Sequence, residues 1–307
     1  SILSWFVGRD EPAIQFLTSE EKFGVQTPPQ RRRFALEQMR TSEQVAQYVA
    51  LERVGFDVDL TAGDVLIQDM VCLAANADNT ECVDWSPSDE VLDPGDRILE
   101  VEGTAIDGVE DLSAVLEGLE PGDLVSMRID RPEVGELDVE VELTASPDDP
   151  DRTIVGFFPF DTRRVQLPFE LDIDTGSIGG PSAGLAFTLT LIDELTEGEL
   201  TGGADIAVTG TIELDGSVGP IGGLRQKASA VAQTGVDVFL VPGISDDATE
   251  SQQAAFDAEL DAARSAGGDD LRIIPVRTLD EALDVLESIG GDPVPPAPEP
   301  PADTDGG

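Results

Sequence analysis

The sequence predicts a mixed α/β chain, α+β in layout, with two domains, a helical N-terminal segment and a proline-rich tail. Three observations predict it. The chain has 307 residues, more than one domain core ordinarily serves. Its residues are 40% hydrophobic, enough for packed cores, yet no apolar run is long enough to cross a membrane. Strand-like and helix-like stretches interleave, the order that gives sheets layered with helices.

The first segment, residues 1–55, starts without clean periodicity; short strands are expected up to residue 26. Pro28-Pro29 lead into Gln30–Val54, where Phe34, Leu36, Met39, Val45, Tyr48, Val49 and Leu51 form an irregular apolar face. Helix is expected there, broken near Thr41-Ser42. Arg31–Arg33, the one run of three basic residues, is read as pairing with nearby acids. Residues 56–131 form the first domain. Val65–Val71 reads as a strand, followed by a loop to Asp89. Leu92–Ile106 reads as turn, strand and a hairpin-like turn at Glu102-Gly103. Val109–Leu119 has helical spacing, and Leu124–Ile129 closes with a strand.

Residues 132–290 form the second domain. Leu137–Leu143 and Thr153–Phe158 read as strands, and Phe169–Ile173 leads toward a glycine turn. Asp172 and Asp174 are candidate substrate contacts or solvated strand positions. Asp205–Thr211 and Ile212–Val218 read as a hairpin turning at Asp215-Gly216. Val238–Val241 and Ile273–Val276 read as buried strands, and Asp280–Ile289 as a helix. Residues 291–307 are rich in proline and carry no folding signal.

Charge and missing residue types narrow the chemistry. The formal charge is −45, with acids spread along the whole chain. Nucleic acid is excluded as a partner, because phosphate binding needs a basic face. Such self-repulsion is tolerable where salt screens it, so stability should depend on salt. There is no histidine, which rules out a Ser-His-Asp triad, a Cys-His pair and histidine-based zinc sites. No metal site and no cofactor is read. Cys72 and Cys82 fit either a small-loop disulfide or two separate thiols. Neither lysine sits in a G-K-[ST] phosphate loop, so no ATPase motor is expected. The chain starts at Ser1 with no Met and no basic leader, so a missing upstream part is expected.

The stretch that carries chemistry is I-G-G-P-S-A-G-L-A-F-T-L, Ile178–Leu189. Gly179-Gly180 allow an unusual backbone, Pro181 suits the first position of a helix, and Ala183–Leu191 is mostly apolar. Ser182 then stands at a helix start, where unpaired N–H groups can hold a developing oxyanion. A glycine-rich N-cap accounts for the same residues. Lys227 follows 45 residues later in P-I-G-G-L-R-Q-K-A-S-A-V-A. It is one of two lysines in the chain, the other being Lys22. Unlike arginine, a buried lysine can lose its proton and act as a base toward a serine hydroxyl. A surface lysine on a helix flank is the other reading.

Two segments carry a family resemblance. G-G-P-S-A-G at Gly179–Gly184 and V-T-G-T-I-E-L-D-G-S-V-G-P-I-G-G-L-R-Q-K at Val208–Lys227 resemble the proteolytic domain of Lon proteases. The likeness runs over about Leu167–Ile289. It implies a Ser-Lys dyad, with Ser182 as nucleophile, Lys227 as base and Thr209 holding the amine. The backbone N–H groups of Gly180 and Ser182 would bind the oxyanion. Many Lon enzymes carry an acid three residues before the serine, where this chain has Gly179. In addition, L-D-P-G-D-R-I-L-E-V-E-G at Leu92–Gly103 resembles a bacterial PDZ domain. That implies a peptide groove between the Val65–Val71 strand and the Val109–Leu119 helix, with carboxylate capture near Ala62-Gly63-Asp64 and Val65 beside it. M-R-T-S-E-Q-V-A and A-L-E-R-V-G resemble the lead-in to the PDZ domain of secreted, membrane-anchored Lon-like proteases. This implies an anchor upstream of Ser1 and an extracytoplasmic place. The implied function is an ATP-independent serine endopeptidase acting on flexible polypeptides, with a hexameric ring as a candidate assembly. The alternative is a PDZ scaffold on an inactive or latent protease-like body.

Overall fold

The computed structural model describes residues 26–77, 81–167, 169, 173, 175–176 and 178–295. The readings for residues 1–25, for Asp172 and Asp174, and for most of the tail lie outside these. Two compact units emerge: residues 61–164 with 26–38, and residues 165–295 with 39–60.

Helix α1 (Pro28–Arg53) is continuous, with no break at Thr41-Ser42. Its first two residues are prolines, at positions whose N–H groups have no helical partner anyway. Thr27 and Gln30 cap it reciprocally: Thr27 N–H donates to Gln30 Oε1 at 2.8 Å, and Gln30 N–H to Thr27 Oγ1 at 3.4 Å.

The first unit is built on a six-stranded sheet in the order β10-β1-β4-β6-β7, with β5 attached to β4. The strands are β1 (Asp59–Met70), β4 (Arg97–Val101), β5 (Thr104–Ala105), β6 (Leu124–Arg131), β7 (Gly135–Glu142) and β10 (Phe157–Gln166). Between them lie β2 (Cys72–Ala75) and β3 (Cys82–Trp85), helix α2 (Val109–Leu116), β8 (Thr144–Ala145) and β9 (Thr153–Ile154). Alternate residues face inward, as strand geometry requires, so Val65, Ile67, Ile98, Val125, Met127 and Ile129 fill the core under Leu112 of α2. β6 and β7 pair residue by residue from Leu124↔Glu142 to Arg131↔Gly135. That register carries residues 135–142 into this sheet, whereas the sequence reading began the second domain at 132.

The P-G-D turn owes its signal to a buried ion pair. Asp96 is fully buried; it accepts from Asp93 N–H at 2.9 Å and from Arg131 Nε and Nη2 at 2.9 and 2.7 Å. Arg131 also reaches Val91 O at 2.9 Å and Asp93 at 3.0 Å. The hydrogen bond to Asp96 raises the Arg131 pKa.

The peptide site expected at Gly63, Asp64 and Val65 needs correcting. These residues lie inside β1, not at a turn, and both edges of β1 are paired. β10 lies along it from Val71, whose N–H donates to Gly156 O at 2.9 Å, to Thr61, whose hydroxyl donates to Arg164 O at 3.3 Å. Thr162 Oγ1 accepts from Asp64 N–H at 2.7 Å and donates to Asp64 O at 3.1 Å. Asp64 is further held by Arg164 at 3.0 Å. The two cysteines are disulfide-bonded, Cys72 to Cys82, and join β2 to β3 within the stretch expected to be a loop.

In the second unit, a parallel sheet orders β11 (Ile206–Val208), β14 (Val238–Pro242) and β15 (Arg272–Val276). Around it stand α3 (Gly184–Leu195), α4 (Leu224–Ala232), α5 (Glu250–Gly267) and α6 (Leu279–Ser288). Leu185, Leu189 and Ile192 of α3 pack with Ala46, Val49 and Ala50 of α1 and with Leu240 of β14. The expected hairpin is shorter than read: β12 (Thr211–Ile212) pairs with β13 (Val218–Gly219), while β11 turns away to pair with β14. Thr209 and Gly210 are left as the link between two sheets.

Candidate active site

Ser182, Thr209 and Lys227 come together although they are spread over three parts of the second unit. Ser182 lies in the turn leading into α3. The helix begins at Gly184 with Ala183 as its cap, so neither Pro181 nor Ser182 has the helical place the sequence suggested. Gly180, at φ +95°, starts the turn with a backbone that other residues rarely adopt.

Lys227 is carried on the first turn of α4. Gly223 caps that helix at φ +71° and accepts from the Lys227 N–H at 3.0 Å. The side chain is half-buried, and its Nζ lies 2.8 Å from Ser182 Oγ and 3.0 Å from Thr209 Oγ1. Both partners are hydroxyls. Burial disfavours the charged amine and lowers the Lys227 pKa. Thr209 is buried and fixed from two sides: its N–H donates to Leu240 O at 3.0 Å and its Oγ1 donates to Ser182 O at 3.0 Å. A hydroxyl has one proton and two lone pairs, so Thr209 can donate to that carbonyl while facing the amine.

Two groups at the site were not foreseen as functional. Gly210 N–H donates to Ser182 O at 2.9 Å. Ser42 of α1, which the sequence suggested as a helix break, is buried and donates to Pro181 O at 3.0 Å. Gly184 is needed for this closeness: a Cβ there would lie 2.9 Å from both Ile212 N and Ser42 Oγ. The N–H groups of Gly180 and Ser182 donate to no protein acceptor among the described residues.

The first unit holds a separate cleft of about 1350 Å3. Val109, Leu112 and Leu116 of α2 line it, together with Ile154, Val155 and Phe157. Cys72 and Trp85 of the disulfide-linked hairpin also line it.

Comparison with known proteins bears on the second unit. The family model of the Lon protease (S16) C-terminal proteolytic domain matches residues 171–286. The Lon protease of Xanthomonas oryzae pv. oryzae is 38% identical over 106 residues, 34% of this chain and 11% of that protein. The Lon protease of Campylobacter concisus is 34% identical over 123 residues, 39% of this chain and 14% of that protein. The chain thus spans about a tenth of the length of the curated relatives it matches. Among solved structures, the PDZ domain of an SdrC-like protein from Listeria monocytogenes is 19% identical, covering 30% of this chain and 86% of that one, with a TM-score of 0.22. By the family match, residues 171–286 of this chain are similar to the proteolytic domain of Lon proteases.

Proposed function

We propose that the protein is a serine endopeptidase that works through a Ser182–Lys227 dyad and needs no ATP for the chemical step. The observation that carries this is the 2.8 Å approach of Lys227 Nζ to Ser182 Oγ, with Thr209 holding the amine. In the neutral state the amine accepts the hydroxyl proton as Ser182 Oγ bonds to the scissile carbonyl carbon. The carbonyl oxygen becomes an oxyanion and takes the N–H groups of Gly180 and Ser182. The C–N bond then breaks, and the leaving nitrogen receives the proton back from Lys227. Water then attacks the acyl ester, giving a proton to the amine; the acyl C–Oγ bond breaks, and Ser182 Oγ takes the proton back from Lys227, which restores both groups.

The first unit is proposed to dock the polypeptide. The cleft between α2 and the start of β10 is bordered by a strand whose outer edge can pair with an extended peptide, with apolar side chains below it. The PDZ-type groove of this chain is thus assigned to β10 rather than to β1. Flexible or unfolded segments are the proposed substrates.

Unfolded casein or a quenched peptide, with ATP omitted, tests the reading. Ser182→Ala is expected to lower kcat by about a thousandfold or more at an unchanged melting temperature. Lys227→Arg keeps the charge, loses the base and is expected to be equally inactive. Parental cleavage by either variant refutes the dyad.

A further inference from the structure

We propose that Ser42, on the N-terminal helix and outside the segment that matches the Lon family, is a positioning residue for the oxyanion donor. The proposal rests on the reading of Ser182 as nucleophile. Four hydrogen bonds fix the two peptide planes around that serine. The Ser182 carbonyl accepts from Gly210 N–H at 2.9 Å and Thr209 Oγ1 at 3.0 Å. The preceding carbonyl, that of Pro181, accepts from Ser42 Oγ at 3.0 Å and from Gly184 N–H at 3.2 Å. A trans peptide is planar, so its N–H points opposite to its C=O. Whatever holds the Pro181 carbonyl therefore aims the Ser182 N–H, and that N–H is the proposed oxyanion donor.

The surroundings show why α1 supplies this hydroxyl. Pro181 has no N–H, so the turn lacks one donor that could have braced it. Gly184 N–H alone bonds at the longer distance and belongs to the same turn, so it moves with it. Ser42 belongs to a different element, anchored through Ala46, Val49 and Ala50 in the core that also holds α3. Gly184 leaves room for the serine oxygen, since a Cβ there would come within 2.9 Å of it. A buried serine within a helix has no capping task, which leaves the Pro181 carbonyl as its partner.

The test uses the full chain and a quenched peptide substrate. Ser42→Ala is expected to lower kcat about tenfold, less than loss of an oxyanion donor itself, because Gly184 N–H remains on the carbonyl. KM and the pH midpoint of kcat stay in place, since neither the substrate cleft nor Lys227 is touched. A peptide boronate, which forms a tetrahedral adduct on the serine, binds Ser42→Ala weaker by a similar factor. Ser42→Thr keeps the hydroxyl and restores most of kcat. A parental kcat in Ser42→Ala overturns the proposal. So does a loss that moves the pH midpoint, leaves boronate binding intact, or persists in a Ser42→Thr variant of parental melting temperature. If Ser182→Ala itself still cleaves, the dyad reading fails; if Ser182→Ala is inactive and Ser42→Ala is parental, only the role of Ser42 fails.

Discussion

Lys227 has its pKa lowered by burial, and this fixes the direction of two measurements. Activity should rise with pH as the amine loses its proton, with a midpoint below the ordinary lysine value of about 10.4. A kcat–pH profile checks it; a midpoint at or above that value sinks the neutral-base mechanism. Stability has its own sign. Between the lowered native pKa and the ordinary value, the unfolded chain binds more protons, so stability rises with pH across that window. Below it, the fold carries a half-buried charge without a carboxylate partner among the described residues. Lys227→Met should therefore melt above the parent at neutral pH, with the gain vanishing as pH climbs past the ordinary lysine range. The pair Asp96–Arg131 behaves oppositely. Arg131→Met leaves the Asp96 charge buried and unpaired, at a cost of about 3–5 kcal/mol, visible in chemical denaturation. At this scale the sequence was informative: absent histidine and a near absence of lysine singled out Lys227, and the glycine turn singled out Ser182. Ser42 was not legible, because a lone serine in a helix carries no sign of the carbonyl it will meet 139 residues away.

Elements with a strong apolar period or a sharp turn were readable, and those defined by long-range pairing were not. The α3, α4 and α6 helices and the β14 and β15 strands lie close to where patterning put them. Helix α5 was missed because it buries only Leu260, Ala263 and Gly267. Its start was nonetheless written in Thr249 and Gln252, which form a reciprocal capping box. Thr249→Ala should cost about 1 kcal/mol. The Gly63–Val65 reading failed for a different reason. Local sequence shows that β1 is a strand, but not that β10, a hundred residues on, closes its edge. The disulfide hairpin was hidden likewise in an apparent loop. Cys72→Ala should destabilise the first unit by about 2–3 kcal/mol, the loop-closure value for so short a ring, as read in denaturant melts. Gly184→Ala should be harsher than an ordinary helix substitution, since the backbone nitrogen of Ile212 stands 2.9 Å from the added carbon.

For the whole molecule, the charge of −45 remains the dominant fact. Added NaCl should raise the melting temperature by screening repulsion among surface carboxylates; a melt series flat in salt speaks against it. The division into units followed from the sequence only in part. The first unit extends to residue 164 because β7 and β10 complete its six-stranded sheet, and pairing of that reach is not visible in local periodicity.

Among the described residues Lys227 touches two neutral hydroxyls and no ion, so brine that reshapes the protein's exterior has little to grip at its chemistry. Saline and dilute buffer should leave the kcat–pH curve superimposable while the unfolding temperature shifts. Endurance would then answer to the surrounding water, and reactivity to the protein's interior.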